Sequence, residues 1–274
     1  MKTFPNPAGG GVTRSPRSWL FAPGHNEKIL GQVFDAGADV VLLDLEDAVP
    51  PDFKDRAREM VYGAAATRPC WVRVNRARSE LCERDLERLA GSVLGFRIPK
   101  VESAADVAWV ADRAPGVPLD CTIESARGVL AAFDIASAPA CALLSYGGLD
   151  LSADLGIPEG AQETLYARSY LILAARAAGK PQPSDGVYPM LNDDDGLRKE
   201  VEAAKRLGFF GKSAIHPRQV PIIHEAFAPS PEEVAWAKGV MAAFEQSGGA
   251  ATRTATGEFV DMPVAERARQ ILGT

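Results

Sequence analysis

Leu119-Asp120-Cys121-Thr122-Ile123-Glu124-Ser125-Ala126-Arg127-Gly128 carries a complete structural unit in ten residues. A strand-like apolar run ends on an acid, a serine follows in the position of a helix cap, and a helical stretch begins. A carboxylate closing such a run needs a partner to offset its desolvation. The pattern recurs at Cys141-Ala142-Leu143-Leu144-Ser145-Tyr146, followed by a Gly147-Gly148 turn and then Asp150, 26 positions beyond Glu124. Acids at the same relative place in consecutive strand–helix units can converge on one point, and a divalent cation is the usual partner there. Two solvated loop acids or helix caps are the plainer alternative.

The same alternation runs through most of the chain. Strand-like runs at Ser18–Ala22, Val40–Leu43, Trp71–Val74, Phe96–Ile98, Leu119–Ile123, Ala142–Tyr146, Gly186–Tyr188 and Lys212–Ile215 are each followed by a helical stretch, the sixth of these spanning Ala161–Ala178. Runs that are apolar throughout, without alternation, belong to parallel strands covered on both sides. Eight such units predict a (β/α)8 TIM barrel over residues 17–228. Asn26, Asp52, Ser103 and Ser125 stand at helix starts, and Gly37, Gly179 and Gly208 where helices should stop. No GxGxxG or GxxxxGK[ST] opens a helix, which disfavours a nucleotide fold. Residues 1–16 read as a flexible tail. Residues 229–274 read as a C-terminal arm or lid: a helix Pro231–Gln246 begun by Ser230, a flexible Gly/Ala/Thr-rich hinge Ser247–Gly257, and a helix Val264–Leu272.

The 274 residues are 46% apolar and 24% charged, the profile of a soluble globular protein. A net charge of −6 with no concentrated basic face excludes a nucleic-acid binder. No uncharged apolar stretch is long enough to span a membrane, and the N-terminus lacks a secretory h-region. Cys70, Cys82, Cys121 and Cys141 show no CxxC spacing, so they read as reduced structural thiols in a cytoplasmic protein.

Chemistry in such a barrel sits at the carboxyl ends of the strands. The charged residues falling there are Asp44, Glu46 and Asp47; Arg73 and Arg76; Lys100 and Glu102; Glu124; Asp150; and His216, with Asp185 just before the seventh strand. Arg73, inside the strand Trp71–Val74, must find an anion: either a ring acid or a substrate carboxylate. The three histidines are too sparse for a zinc site, and an oxygen-only ligand set favours Mg²⁺, with Mn²⁺ as a substitute.

Arg17-Ser18-Trp19-Leu20-Phe21-Ala22-Pro23-Gly24, Leu43-Asp44-Leu45-Glu46-Asp47-Ala48-Val49, Arg73-Val74-Asn75, Pro99-Lys100-Val101-Glu102-Ser103, Ile123-Glu124-Ser125-Ala126-Arg127-Gly128, Gly147-Gly148-Leu149-Asp150, Asp185-Gly186-Val187-Tyr188, Ile215-His216-Pro217-Arg218-Gln219 and Phe259-Val260-Asp261-Met262-Pro263 follow one another in order. In these motifs the chain resembles the citrate lyase β-subunit (CitE-like) family, with the wider HpcH/HpaI aldolases and malyl-CoA lyases. The resemblance implies a Mg²⁺-dependent TIM-barrel carbon–carbon lyase, usually a homotrimer. Its substrates would be a citramalyl-, malyl- or citryl-CoA type thioester, an acetyl thioester and a keto acid. It further implies Glu124 and Asp150 as metal ligands, Arg73 as a carboxylate clamp, and Gly147 and Gly148 amides near the keto acid. Asp261 would be the acid–base residue brought in from an adjacent subunit, and Arg17 and Lys100 would support the site or meet coenzyme A phosphates. Leu149 stands where many relatives carry Glu. Two other readings use the same residues: a pyruvate-type aldolase on a free hydroxy-keto acid, and a non-catalytic subunit of a lyase complex.

Overall fold

The computed structural model describes residues 16–158, 160 and 162–273, so the tail expected over residues 1–16 and the helix start expected at residue 161 lie almost wholly outside the described residues. The chain divides into two compact units, one running to Phe227 and the other from Ala228.

In the first unit, strands β1 (Ser18–Pro23), β2 (Val40–Asp44), β3 (Trp71–Arg73), β4 (Gly95–Ile98), β5 (Leu119–Ile123), β6 (Cys141–Tyr146) and β7 (Lys212–Ala214) form one parallel sheet of order β6-β5-β4-β3-β2-β1-β7. Helices connect them: α1 (Glu27–Gln32), α2 (Lys54–Ala65), α3 (Glu80–Leu89), α4 (Ala104–Arg113), α5 (Ala126–Leu130), α6 (Ala132–Ser137), α7 (Gly148–Leu155), α8 (Leu165–Ala177), α9 (Asp194–Leu207) and α10 (Gln219–Phe227). Asn26, Ser103 and Ser125 cap α1, α4 and α5 as expected, each accepting a backbone N–H three residues on. Asp52 does not cap α2: the prolines at 50 and 51 set up a short 3₁₀ turn, and the α-helix begins only at Lys54. Gly208 takes the left-handed conformation that ends α9.

The strand expected at Gly186–Tyr188 does not form. Pairing falls instead on Ser184 and Asp185, which bridge Ser145 of β6 and Lys212 of β7. Four backbone hydrogen bonds hold this stub: Tyr146 N–H to Ser184 O (2.9 Å), Ser184 N–H to Leu144 O (3.1 Å), Asp185 N–H to Gly211 O (2.8 Å) and Ser213 N–H to Asp185 O (3.0 Å). Pro181 and Pro183 lack donors and shorten the ladder on one side. On the other side, Gly186 packs so closely that an added Cβ would lie 3.1 Å from Tyr146 O and 3.4 Å from Gly148 N.

Apolar packing separates into two layers. A large cluster, including Leu43, Val61, Leu86, Ile98, Val107, Ile123 and Ile135, joins strands to helices. A second cluster is built from Trp19, Val40, Leu42, Trp71 and Leu143, with the two indoles edge to face at 5.3 Å. All four cysteines are free and buried, and burial pushes the Cys70 and Cys82 thiols up to about 12. The native protein at pH 8 should therefore leave all four unmodified by an aromatic disulfide reagent over minutes and release four equivalents after denaturation. Rapid labelling of the native protein would contradict this.

In the second unit, α11 (Pro231–Gln246) and α12 (Met262–Leu272) pack around Ala237, Val240, Phe244, Val260, Ala265 and Ala268. Ser230 begins α11 with a full capping box. Within the stretch expected as a hinge, β8 (Thr252–Arg253) pairs with β9 (Phe259–Val260) as an antiparallel hairpin. Its turn is closed by Gly257 N–H to Thr254 O at 2.9 Å. No described helix is long and apolar enough to cross a membrane.

Candidate active site

Parallel strands put all their carboxyl ends at one edge of the sheet, and the charge cluster assembles there. Asp44 ends β2 and is 1% exposed. It accepts the backbone N–H groups of Glu46 (2.9 Å) and Ala48 (3.1 Å), folding the following loop back on itself. Its register partner Arg73 grips it bidentately, Nε to Oδ1 and Nη2 to Oδ2, both at 2.7 Å. Arg73 Nη1 also lies 2.9 Å from Glu46 Oε2, a charge contact without hydrogen-bond alignment. The anion that the sequence demanded for Arg73 is thus supplied by the ring acids. A guanidinium has five N–H donors, so three remain after the two bonds to Asp44.

Lys100 organises the rest. It follows β4 with φ 53°, a backbone state uncommon for a side-chain-bearing residue. That turn aims its N–H at Glu124 Oε1 (2.6 Å). Its ammonium reaches Glu46 Oε1 (2.6 Å) and Asp47 Oδ2 (3.1 Å), and stands 3.9 Å from Asp150 Oδ1. Burial works to lower the Lys100 pKa, but hydrogen bonds and charge from Glu46 and Asp47 hold it above the ordinary value. Lys54 secures the loop beneath, donating to the carbonyls of Leu45 (2.6 Å) and Glu46 (2.7 Å) and to Asn75 Oδ1 (2.8 Å).

Glu124 is 5% exposed. Burial, then the negative charges of Asp150 and Glu46, push its pKa up to about 8 against the pull of Arg73 and the Lys100 amide. Asp150 is not on a loop, as its glycine turn suggested, but in the first turn of α7, where the helix dipole favours a carboxylate. Gly147 leaves room for Glu124: an added Cβ would fall 2.3 Å from Glu124 Oε2 and 2.5 Å from its Cβ. Gly147→Ala should therefore displace the glutamate and weaken divalent-metal uptake by roughly tenfold or more in a Mn²⁺ titration. Unchanged affinity would show that the close approach has no bearing on the site.

Gly147 N–H is bound to Ile123 O (3.0 Å), so of the two expected amides only Gly148, at the start of α7, is left for a ligand. Arg17 does not join the cluster. It precedes β1, at the amino ends of the strands, where its N–H and Nε hold Asp39 Oδ2 at 2.9 and 3.3 Å. Asp261 caps α12 in the second unit, accepting Val264 N–H at 3.3 Å.

Sequence reading gave no role to Lys54 or Asn75, which hold the loop beneath Glu46, nor to Arg97 and Asp120, the charged pair inside β4 and β5. For Arg97 and Asp120 a signal existed, because charged residues inside the strands β4 and β5 demand partners as Arg73 did. Nothing in the local sequence marks Lys54 or Asn75.

Five carboxylates (Asp44, Glu46, Asp47, Glu124 and Asp150) gather with three cations (Lys54, Arg73 and Lys100). The surplus negative charge and the oxygen-only donors suit one hard divalent cation. Among the described residues no three His, Cys, Asp or Glu groups form a complete metal cage. Mg²⁺ commonly takes one or two carboxylates and fills its remaining positions with water and substrate.

Comparison with known proteins places the chain as a whole. The family model "HpcH/HpaI aldolase/citrate lyase" matches residues 17–217. The citrate lyase subunit beta of Leuconostoc mesenteroides subsp. cremoris is 34% identical over 94% of this chain and 93% of its own. A (3S)-malyl-CoA thioesterase of Cereibacter sphaeroides is 40% identical over 84% of each chain. The crystal structure of CitE from Mycobacterium tuberculosis with magnesium, acetoacetate and coenzyme A superposes with a TM-score of 0.83 at 34% identity, covering 96% of this chain and 98% of that one. The chain belongs to the HpcH/HpaI aldolase/citrate lyase family and is a lyase of that family.

Proposed function

We propose that this protein is a Mg²⁺-dependent carbon–carbon lyase. It would cleave, or form, a short 3-hydroxy-acyl thioester of the citramalyl-, malyl- or citryl-CoA type, giving an acetyl thioester and a keto acid. The observation carrying this reading is the convergence of Glu124 and Asp150 on Lys100 within a cluster of surplus negative charge. In this reading the Ser184–Asp185 stub serves as the missing stave, closing the sheet into a (β/α)8 barrel.

Glu124 and Asp150 would hold the ion, which supplies a Lewis acid to the oxygen where charge develops. Arg73, already fixed by Asp44, directs its remaining N–H groups at the substrate carboxylate, and the first turn of α7 offers the Gly148 amide. In cleavage the 3-hydroxyl loses its proton, the carbon–carbon bond breaks toward the thioester, and the resulting α-carbanion takes up a proton to become the acetyl methyl group. Asp261, presented by a neighbouring copy in a homotrimer, is the assigned proton donor, and the base in the reverse direction. Pre-placement of these groups removes much of the orientational cost of the reaction.

The malyl-CoA thioesterase relative favours a second reading, in which the same pocket hydrolyses the thioester. Incubation with malyl-, citramalyl- and citryl-CoA separates the two. The lyase reading expects equimolar acetyl-CoA and keto acid, lost on chelation and restored by Mg²⁺. Free coenzyme A with the intact hydroxy acid would replace it with hydrolysis, and no turnover of any thioester would remove both.

A further inference from the structure

Register places four charged residues side by side across the sheet: Asp44 of β2 opposite Arg73 of β3, Arg73 opposite Arg97 of β4, and Arg97 opposite Asp120 of β5. Cross-strand partners point to the same face, so two guanidiniums stand as neighbours with an acid on either flank. Each arginine takes the acid on its own side. Arg73 binds Asp44, and Arg97 Nε binds Asp120 Oδ2 at 2.5 Å. Arg97 is 2% exposed and Asp120 fully buried, so this second pair has no outlet to solvent.

Arg97 reaches further than its partner. Its Nη1 donates to Ser213 Oγ of β7 at 3.0 Å, and its Nη2 lies 3.5 Å from Ser184 Oγ, at the limit of a hydrogen bond. A single side chain from β4 thus reaches the place where the sheet has its fewest backbone bonds. Asp185, the next residue of the stub, is tied separately by Lys212 (2.8 Å) and Arg168 (3.2 Å). Gly186 then lies against Tyr146 O and Gly148 N, where α7 begins and Asp150 follows in its first turn. The Phe21 ring completes the link to the site, with the Arg97 guanidinium 5.6 Å and the Arg73 guanidinium 4.9 Å from its centroid.

We propose that Arg97 is a positioning residue of the site: it fixes the Ser184–Gly186 stub against which α7 starts, and with Phe21 it holds the Arg73 fork in place. The inference rests on the metal reading of Glu124 and Asp150. It assigns the buried Arg97–Asp120 pair a task that packing alone does not require, since apolar replacement of a buried pair is often neutral for stability.

That difference provides the test. R97M alone strands the Asp120 charge and is expected to destabilise strongly, whereas the double variant R97M/D120L removes both charges and should fold with near-normal stability. The double variant should nonetheless bind Mn²⁺ about tenfold more weakly than wild type. Amide exchange should rise over residues 184–188 and 147–152, and S213A should give a smaller change in the same direction. A core variant on α4, V107A, should lower the melting temperature without moving either readout. Wild-type Mn²⁺ affinity and exchange in R97M/D120L would overturn the proposal, as would equal changes in V107A. Neither measurement needs turnover. Should the wild-type protein itself fail to take up Mn²⁺, the metal reading falls and the exchange comparison alone decides the role of Arg97.

Discussion

Asp150→Ala is expected to lower thioester cleavage by about a thousandfold or more, on the scale of losing a principal electrostatic contact to the transition state. The folded state should survive. Asp150 is a first-turn residue with its side chain 42% exposed, and among the described residues its carboxylate has one ion-pair contact, with Lys100 at 3.9 Å. Its loss also removes one of the charges that raise the Glu124 pKa, so the remaining carboxylate should ionise more readily without recovering a second ligand. Steady-state kinetics and a melting curve on the same preparation check both halves. Retained turnover would remove Asp150 from the mechanism; an unfolded protein would show that the residue is structural.

Asp261→Asn is the second large effect. Asparagine caps a helix about as well as aspartate, so α12 keeps its Val264 N–H contact, while the proton-transfer role proposed for Asp261 is removed. The expected outcome is a fall in kcat of roughly 10²- to 10⁴-fold with Mn²⁺ affinity unchanged. Loss of metal binding instead would place Asp261 among the ligands. Full activity would return it to a capping role alone. Exchange of the acetyl-CoA methyl protons with deuterated water gives a separate readout of the same group.

Much of this site could be read in the chain before the fold was known. Glu124, Asp44, Glu46 and Lys100 were legible because a charged group close behind an apolar strand violates the local pattern, and Asp150 because it follows a glycine turn at the end of the next such strand. Their places at one edge of a parallel sheet followed from the strand–helix alternation. Arg73 left two partners open, and only the register could choose: it sits opposite Asp44. Arg97 and Asp120 were hidden because their strands were read as apolar runs, and the contact to Ser213 joins residues 116 positions apart. The seventh strand was misplaced by two residues for a related reason. Gly186-Val187-Tyr188 has strand composition, but the prolines before it and the close approach of Gly186 to Tyr146 and Gly148 fix where pairing falls. The stretch expected as a hinge ends in a hairpin turn that its Gly/Thr-rich composition also suits, closed here by Thr254 and Gly257.

The proposed site holds one magnesium ion between Glu124 and Asp150. A crystal soaked with Mg²⁺ and a short keto acid tests it most directly. One ion is expected, with an oxygen of each carboxylate about 2.0–2.1 Å away and the keto acid completing its coordination. An ion bound elsewhere, or Glu124 and Asp150 left facing only Lys100 with the keto acid in place, would contradict it.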